Sequence, residues 1–155
     1  MAKVRQFCTF FLGTDFFGVD VQQVQEVLRY QQQTRVPLAP RAIKGLINLR
    51  GQIVTAMDLR CRLELGERAD NALPMNVVVR TEDGAVSLLV DEIGDVVEVS
   101  DEDFEPPPET VQGVARELIL GTYKLPDRLL LILDTDKTVD LKQVDHQTSK
   151  PRGSS

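Results

Sequence analysis

Residues 37–65, PLAPRAIKGLINLRGQIVTAMDLRCRLEL, decide how this chain can fold. Ile43–Leu49 and Gln52–Met57 are rich in apolar residues and predict two strands joined by a turn at Arg50-Gly51. Glycine adopts positive φ without steric cost, which a tight hairpin turn requires. Because apolar residues fall on both faces, we expect the hairpin to be buried on both sides. A charged arginine at the tip of so apolar a hairpin points to a role beyond folding.

The first thirty residues predict a hairpin followed by a helix. Val4–Leu12 and Phe16–Val19 are the two expected strands. Asp20 resembles an N-cap residue, and Gln23 completes a variant of the capping box. Apolar residues then recur at helical spacing, which predicts a short helix; these residues are Val21, Val24 and Leu28. Residues 33–36 fit either a loop or an edge strand.

The rest of the chain predicts further short strands and three helix caps. Asp58 is expected to cap a helix from Leu59 to Leu65, and Ser100 to cap a single helical turn. Asp134 is expected to cap a C-terminal helix reaching about Val144. The predicted strands are Met75–Arg80, Val86–Asp91, Asp95–Val99 after a kink at Gly94, Glu117–Lys124 and the apolar Arg128–Leu133.

About ten short strands with few helices indicate a mainly β protein, built as β-barrels or a sandwich. We expect one domain over residues 4–145, with a first lobe over about 15–65 and a second over about 74–133. The N-terminal strand and the C-terminal helix would complete the packing. Residues 146–155 are expected to form a disordered tail, and its PRGSS end could be a remnant of cloning.

Composition excludes several classes of protein. The chain has 155 residues and a net charge of −6, and an acidic chain without a basic stripe argues against nucleic-acid binding. No apolar run approaches the ~20 residues of a membrane span, and no signal peptide is evident. We therefore expect a cytoplasmic protein with no direct membrane insertion.

No residue pattern indicates catalysis or a cofactor. The lone histidine, His146, lies in the expected tail, and the two cysteines, Cys8 and Cys61, lack the partners of a metal site. The acids at 100–103 lack the glycine and final glutamate of a calcium loop. A carboxylate pair of Asp91 and Asp95 is formally possible, although acids at strand ends are usually solvated. A binding module is favoured over an enzyme, and no cofactor is expected.

Several motifs resemble the CheW family. They are FFLG at 10–13, FGVD at 17–20, VQEV at 24–27, PLAPRAIKGLINLRGQIV at 37–54 followed by MDLR, VDEIGDV at 90–96 and RLLLILD at 128–134. The resemblance covers roughly residues 5–145. One departure is Thr55, where the family usually has proline.

The resemblance implies two small SH3-like, five-stranded β-barrels packed together. It also implies a non-catalytic scaffold that couples the cytoplasmic tip of a chemoreceptor to the histidine kinase CheA through the kinase's regulatory domain, with other copies of the scaffold as further partners in array rings. A paralogous adaptor of another receptor–kinase pathway, and more remotely a small-molecule-binding barrel, remain as alternatives.

The resemblance further implies two sets of contact residues. The receptor-binding set is Arg50, Val96, Glu26, Val27 and Leu28, and the kinase-binding set is Thr34, Gly45 and Val24. These residues can also be interpreted as purely structural. Arg50 could be a solvated turn residue or bond to nearby carbonyls, and Glu26 a solvated helix residue. The valines and Leu28 could belong to the core or to an ordinary strand, and Gly45 could mark a bulge or a close approach of backbone.

Overall fold

The computed structural model describes residues 3–69 and 72–140, and these residues form two five-stranded sheets. The strands are β1 (Val4–Leu12), β2 (Asp15–Asp20), β3 (Val24–Leu28), β4 (Ile43–Leu49), β5 (Gln52–Asp58), β6 (Met75–Thr81), β7 (Gly84–Val90), β8 (Glu92–Ser100), β9 (Ile119–Lys124) and β10 (Leu129–Leu133). The helices are α1 (Leu59–Arg62), α2 (Gly113–Leu118) and α3 (Thr135–Thr138), and single 3₁₀ turns lie at Val21–Gln23 and Asp101–Asp103. The prediction of a mainly β fold with few short helices is confirmed.

The two sheets are interleaved along the chain. Sheet A has the order β8-β1-β2-β10-β9, and sheet B has the order β3-β6-β7-β5-β4. Sheet B is therefore made of consecutive strands, whereas sheet A combines both ends of the chain. Division into lobes at 15–65 and 74–133 does not describe the sheets, because strands of the two ranges pair with each other. β2 pairs with β10, β3 with β6 and β5 with β7.

Most neighbouring strands are antiparallel, and one pair in each sheet is parallel. β10 runs parallel to β2, with Leu131 opposite Phe17, and β5 runs parallel to β7, with Met57 opposite Leu88. These two pairs lie inside their sheets, where a parallel strand is covered on both sides.

Three apolar clusters form the core. One, the shared cluster, fills the space between the two sheets. Each sheet has a second cluster on its other face, which we call the inner cluster of that sheet. Successive residues of one strand alternate between clusters, as the two-residue period of a strand requires: Val77 and Val79 enter the shared cluster, and Val78 enters the inner cluster of sheet B. In sheet A, Phe17 faces the shared cluster and Phe16 the inner one.

The central hairpin forms as predicted, but its burial is less complete. Leu49 pairs with Gln52 across the turn, and Val54 and Met57 are fully buried. Ile53 is 59% exposed, so the expectation of burial on both sides is wrong at this end of the hairpin. Thr55 lies between Leu46 of β4 and Val86 of β7, inside the paired part of β5.

The helix predicted after Asp20 is mostly a strand. Asp20 does cap a helical turn, the 3₁₀ turn at Val21–Gln23, since its carboxylate accepts a hydrogen bond of 2.9 Å from the Gln22 N–H. Helical structure ends at Gln23, however, and Val24–Leu28 pairs with β6, with a register shift between Val24 and Glu26. Apolar residues at 24, 27 and 28 suit a bulged strand as well as a helix, and pairing with the valines of β6 decides between them.

Other differences concern element ends. Ser100 and Asp58 cap their helices as predicted, but α1 ends at Arg62 and α3 at Thr138. The predicted continuation of the last helix to Val144 lies partly outside the described residues, as does the predicted tail. β8 runs through Gly94 without a break, while its register with β1 shifts there. Residues 117 and 118 belong to α2, which was not predicted. Within the described residues, no helix is both long and apolar enough to cross a membrane.

Candidate functional site

The turn between β4 and β5 places Arg50 on a rigid tip. Arg50 and Gly51 both have positive φ, 51° and 89°, which is the geometry of a two-residue type I′ turn. The Asn48 side chain accepts a hydrogen bond of 2.9 Å from the Gly51 N–H. The Arg50 side chain is 70% exposed. The hairpin therefore presents a guanidinium to solvent, on a turn that the Asn48 side chain stabilises.

Arg50 pairs with Glu26 of β3. The guanidinium donates to the Glu26 carboxylate, whose side chain is only 20% exposed. Next to this pair, Gln25 donates to Gln52 over 3.5 Å. β3 is one edge strand of sheet B, and these contacts connect it to the β4–β5 turn and to the start of β5 near the other edge. The reading of Glu26 as a solvated helix residue is wrong, because Glu26 lies on a strand and is largely covered by this pairing.

Exposed apolar side chains lie close to this ion pair in sequence. Val27 is 40% exposed, directly after Glu26, and Ile53 is 59% exposed, three residues after Arg50. Ile53 was not among the predicted contact residues, because its hairpin was expected to be buried on both faces. Alternation along Ile53, Val54 and Thr55 is the signal that could have identified it.

Two of the predicted contact residues are partly buried. Leu28 packs against the inner cluster of sheet B, and Val24 packs against the cluster shared by the sheets. Both therefore contribute to packing, whatever else they contact. Val96 is different: it is 55% exposed and lies on β8 of sheet A, opposite Cys8. The predicted receptor-binding residues are thus distributed over both sheets.

Thr34 and Gly45 are brought into direct contact. Thr34 exchanges two backbone hydrogen bonds with Leu46, of 2.8 and 2.7 Å. A Cβ atom on Gly45 would lie 2.5 Å from the Thr34 carbonyl oxygen, and the register of β4 with β5 shifts between Ile43 and Gly45. Gly45 therefore marks both a bulge and a close approach of backbone, as its purely structural interpretation proposed. Residues 33–36 form a loop with one bridge at Thr34.

A partly buried charge cluster surrounds Asp91, and the sequence did not predict it. Arg60 donates to both carboxylate oxygens at 2.5–3.1 Å, Arg68 donates at 2.8 Å, and the Gly13 N–H donates at 2.6 Å. Burial raises the pKa of Asp91, but the hydrogen bonds from Arg60, Gly13 and Arg68 outweigh it and lower the pKa to about 2. Arg68 also contacts Asp58 at 3.4 Å.

This cluster ties the two sheets together rather than forming a catalytic pair. Arg60 belongs to α1, which follows β5 of sheet B, and Gly13 lies in the β1–β2 turn of sheet A. Asp91 stands at the junction between β7 and β8, where the chain passes from one sheet to the other. Asp95, its formal partner in the carboxylate pair considered from sequence, is exposed. In the residues that the structure describes, no group of acidic, histidine and cysteine side chains is placed to hold a metal ion.

Comparisons with known proteins agree on one family. The family model of the CheW-like domain matches residues 6–143. The chemotaxis protein CheW of Treponema pallidum is 32% identical over 90% of this chain and 84% of its own length. The protein of the same name from Bacillus subtilis is 35% identical over 80% of each chain.

A solved structure supports the same assignment. The crystal structure of the scaffolding protein TtCheW from Thermoanaerobacter tengcongensis superposes with a TM-score of 0.77 and 28% identity, over 85% of this chain and 90% of that one. Sequence and fold agree over nearly the whole described chain, and the chain therefore belongs to the CheW-like domain family.

Proposed function

We propose that this chain is a non-catalytic chemotaxis scaffold that couples the cytoplasmic tip of a chemoreceptor to the regulatory domain of the histidine kinase CheA. The observation that carries the proposal is the exposed Arg50 guanidinium, which Glu26 holds on a type I′ turn, with the exposed Val27 and Ile53 close to this pair in sequence. Similarity to named chemotaxis proteins, one of them described as a scaffolding protein, supports the same role.

The receptor-facing surface comprises Arg50, Glu26 and Val27, with Leu28 beneath them and Val96 on the other sheet. A cation with exposed apolar residues close to it in sequence suits a helical hairpin that carries a carboxylate, because arginine forms two parallel hydrogen bonds to that group. Before the receptor binds, Glu26 holds the Arg50 guanidinium in one position. The receptor carboxylate then accepts hydrogen bonds from the N–H groups that Glu26 leaves available.

The kinase-facing surface is centred on the exposed Thr34, and Gly45 is buried against the Thr34 carbonyl. Backbone hydrogen bonds to Leu46 fix Thr34 on β4, and the absence of a side chain at Gly45 permits this approach. Val24, the third residue of the kinase-binding set, packs against the shared cluster. The two surfaces use different sets of residues, as a protein that contacts two partners at once requires.

Binding to each partner separately is the direct test. The purified chain should bind the kinase regulatory domain alone and the receptor tip alone, and it should raise the receptor-controlled phosphorylation rate when all three are combined. Arg50→Glu should keep the circular dichroism spectrum of the parent chain but lose binding to the receptor tip. A folded Arg50→Glu protein with full receptor control of the kinase would contradict the assigned receptor surface. Failure of the parent chain to bind either partner would contradict the bridging role.

A further inference from the structure

A groove lies beside the kinase-facing surface, on the side formed by the loop between β3 and β4. It has a volume of about 580 Å³, and the residues that matter here are Tyr30, Arg35, Val36, Arg41 and Lys44. Gln33 and Lys44, which line it, are the sequence neighbours of Thr34 and Gly45. A partner seated on the exposed Thr34 would therefore extend into the groove.

Three cations of this groove lack counterions. Among the residues that the structure describes, Arg35, Arg41 and Lys44 take part in no ion pair or side-chain hydrogen bond. Arg68, which also lines the groove, is by contrast held by Asp58 and Asp91. The sequence explains this difference, because residues 27–57 contain five basic residues and no acidic one, in a chain of net charge −6.

The same loop exposes apolar side chains. Leu38 is fully exposed and has a φ of 62°, which L residues other than asparagine and aspartate rarely adopt. Val36 is 38% and Tyr30 41% exposed, and both line the groove with Leu38. An apolar residue held in an uncommon backbone conformation and turned fully to solvent gains no burial within its own chain. It becomes buried only when another molecule covers it.

We infer that this groove binds an acidic, amphipathic segment of the kinase. This inference rests on the proposed function, since it places the segment next to Thr34 and Gly45. Carboxylates of the segment would pair with Arg35, Arg41 and Lys44, and its apolar side chains would cover Val36 and Leu38. A partner whose charge complements three unpaired cations gains in association rate and in specificity. A nucleic acid would satisfy the cations but would leave Leu38 and Val36 uncovered.

The inference is tested with the full chain and the kinase regulatory domain extended by its neighbouring segments. The groove variant Arg35→Glu/Arg41→Glu is compared with the control variant Lys3→Glu/Arg80→Glu, which changes the net charge equally at exposed positions outside the groove. We expect the groove variant to associate with the kinase about tenfold or more slowly at low salt, and the control variant to differ far less. The groove variant should also show a weaker dependence of the association rate on ionic strength.

A second measurement identifies the segment. Zero-length carbodiimide coupling joins an amine to a carboxylate only when the two are in contact, so it should join Lys44 to an aspartate or glutamate of the kinase. Equal slowing by the groove and control variants, or coupling that bypasses Lys44, would overturn the inference while leaving the bridging role intact. Groove-dependent binding of a single-stranded oligonucleotide with unchanged kinase binding would also overturn it. If the unaltered chain did not bind the kinase, the proposed function itself would fail.

Discussion

The α-carbon of Gly45 lies directly against the carbonyl of Thr34, so closely that a methyl group on Gly45 would stand 2.5 Å from the carbonyl oxygen. The obstacle is backbone, which cannot rotate away as the end of a flexible side chain can. The loop between β3 and β4 is therefore seated on β4 only while residue 45 has no side chain. A substitution at Gly45 would act on the kinase-facing surface by displacing the loop as well as by changing a contact.

Gly45→Ala should displace the loop and destabilise the chain by about 1–3 kcal/mol, as overpacking usually does. Hydrogen exchange should show faster exchange at the Thr34 and Leu46 amides, which now form the 2.8 and 2.7 Å bonds. Gly84→Ala is the matched control, because Gly84 also has a positive φ, 115°, but no atom lies within 4 Å of its added Cβ. Unchanged exchange at Thr34 in the Gly45 variant would show that the loop is held in another way.

Exchanging the charges of Arg50 and Glu26 distinguishes the contribution of the ion pair to folding stability from its contribution to receptor binding. The ion pair is exposed on one side, so Arg50→Glu should lower stability by less than about 1 kcal/mol. The double variant Arg50→Glu/Glu26→Arg should recover that loss in urea unfolding. Receptor binding should not recover, because the outward-facing cation is then displaced to the covered position. Recovery of receptor binding by the double variant would mean that the partner needs the pair and not the position of the cation.

Asp91→Asn should be the most damaging single change in the charge cluster. The substitution keeps the size of the side chain but removes the charge that Arg60 and Arg68 share, and it leaves two partly buried guanidinium groups facing each other. Loss of one partner from a buried ion pair costs about 3–5 kcal/mol, and the remaining exposure places the expected loss near the lower end. The measurement is urea unfolding, with Asp95→Asn as the exposed control. A loss below about 1 kcal/mol would show that the cluster does not hold the sheets together.

The same carboxylate predicts how stability depends on pH. Its pKa is about 2 in the folded chain and about 3.9 in an unfolded one. A lowered pKa stabilises the fold above the unfolded value, and this contribution is lost as the pH falls through the folded value. The difference in unfolding free energy between the parent chain and Asp91→Asn should therefore be constant above about pH 5 and should decrease by up to about 2 kcal/mol towards pH 2. A difference that does not change with pH would contradict the lowered pKa.

The buried Arg62 side chain should stabilise the fold through hydrogen bonds to backbone carbonyls. It is 2% exposed and donates to the Thr138 carbonyl at 2.7 Å and to the Lys137 carbonyl at 3.1 Å, so it connects α1 to the end of α3. Arg62→Met keeps the aliphatic stem but removes the side-chain donor to the Thr138 carbonyl, while the Lys137 carbonyl keeps the Asp140 N–H at 3.3 Å. The loss should cost about 1–3 kcal/mol. Exchange at the amides of α3 should rise in step. Parent-like unfolding of the Arg62 variant would show that water replaces the guanidinium without cost.

Local sequence predicts this fold well where neighbouring strands pair with each other. The central hairpin and its Arg50-Gly51 turn, and the caps at Asp58 and Ser100, follow from local chemistry and are found in place. Val24–Leu28 was predicted as helix because its partner, β6, lies some fifty residues away and leaves no local trace. The interleaving of the sheets was missed for the same reason, since it depends on β1 meeting β8.

In the candidate site, too, local features could be predicted from the sequence and long-range contacts could not. The exposed turn position of Arg50 and the close approach at Gly45 are consistent with the alternatives raised from sequence. The pairing of Arg50 with Glu26 and the ion pairs of Asp91 with Arg60 and Arg68 required the folded chain. Each depends on which long-range neighbour supplies a charge, and periodicity carries no such information. The assignment of individual residues to receptor or kinase stays a prediction.

The interleaved order of the strands has a consequence for synthesis on the ribosome. All five strands of sheet B lie between residues 24 and 90, so this sheet has every partner it needs before β8 is made. β1 and β2 precede sheet B along the chain, yet β8 and β10, which flank them, follow it. The nascent chain therefore carries an early hairpin with two unsatisfied edges for most of its elongation, and such edges are where a β protein is open to mispairing with other chains.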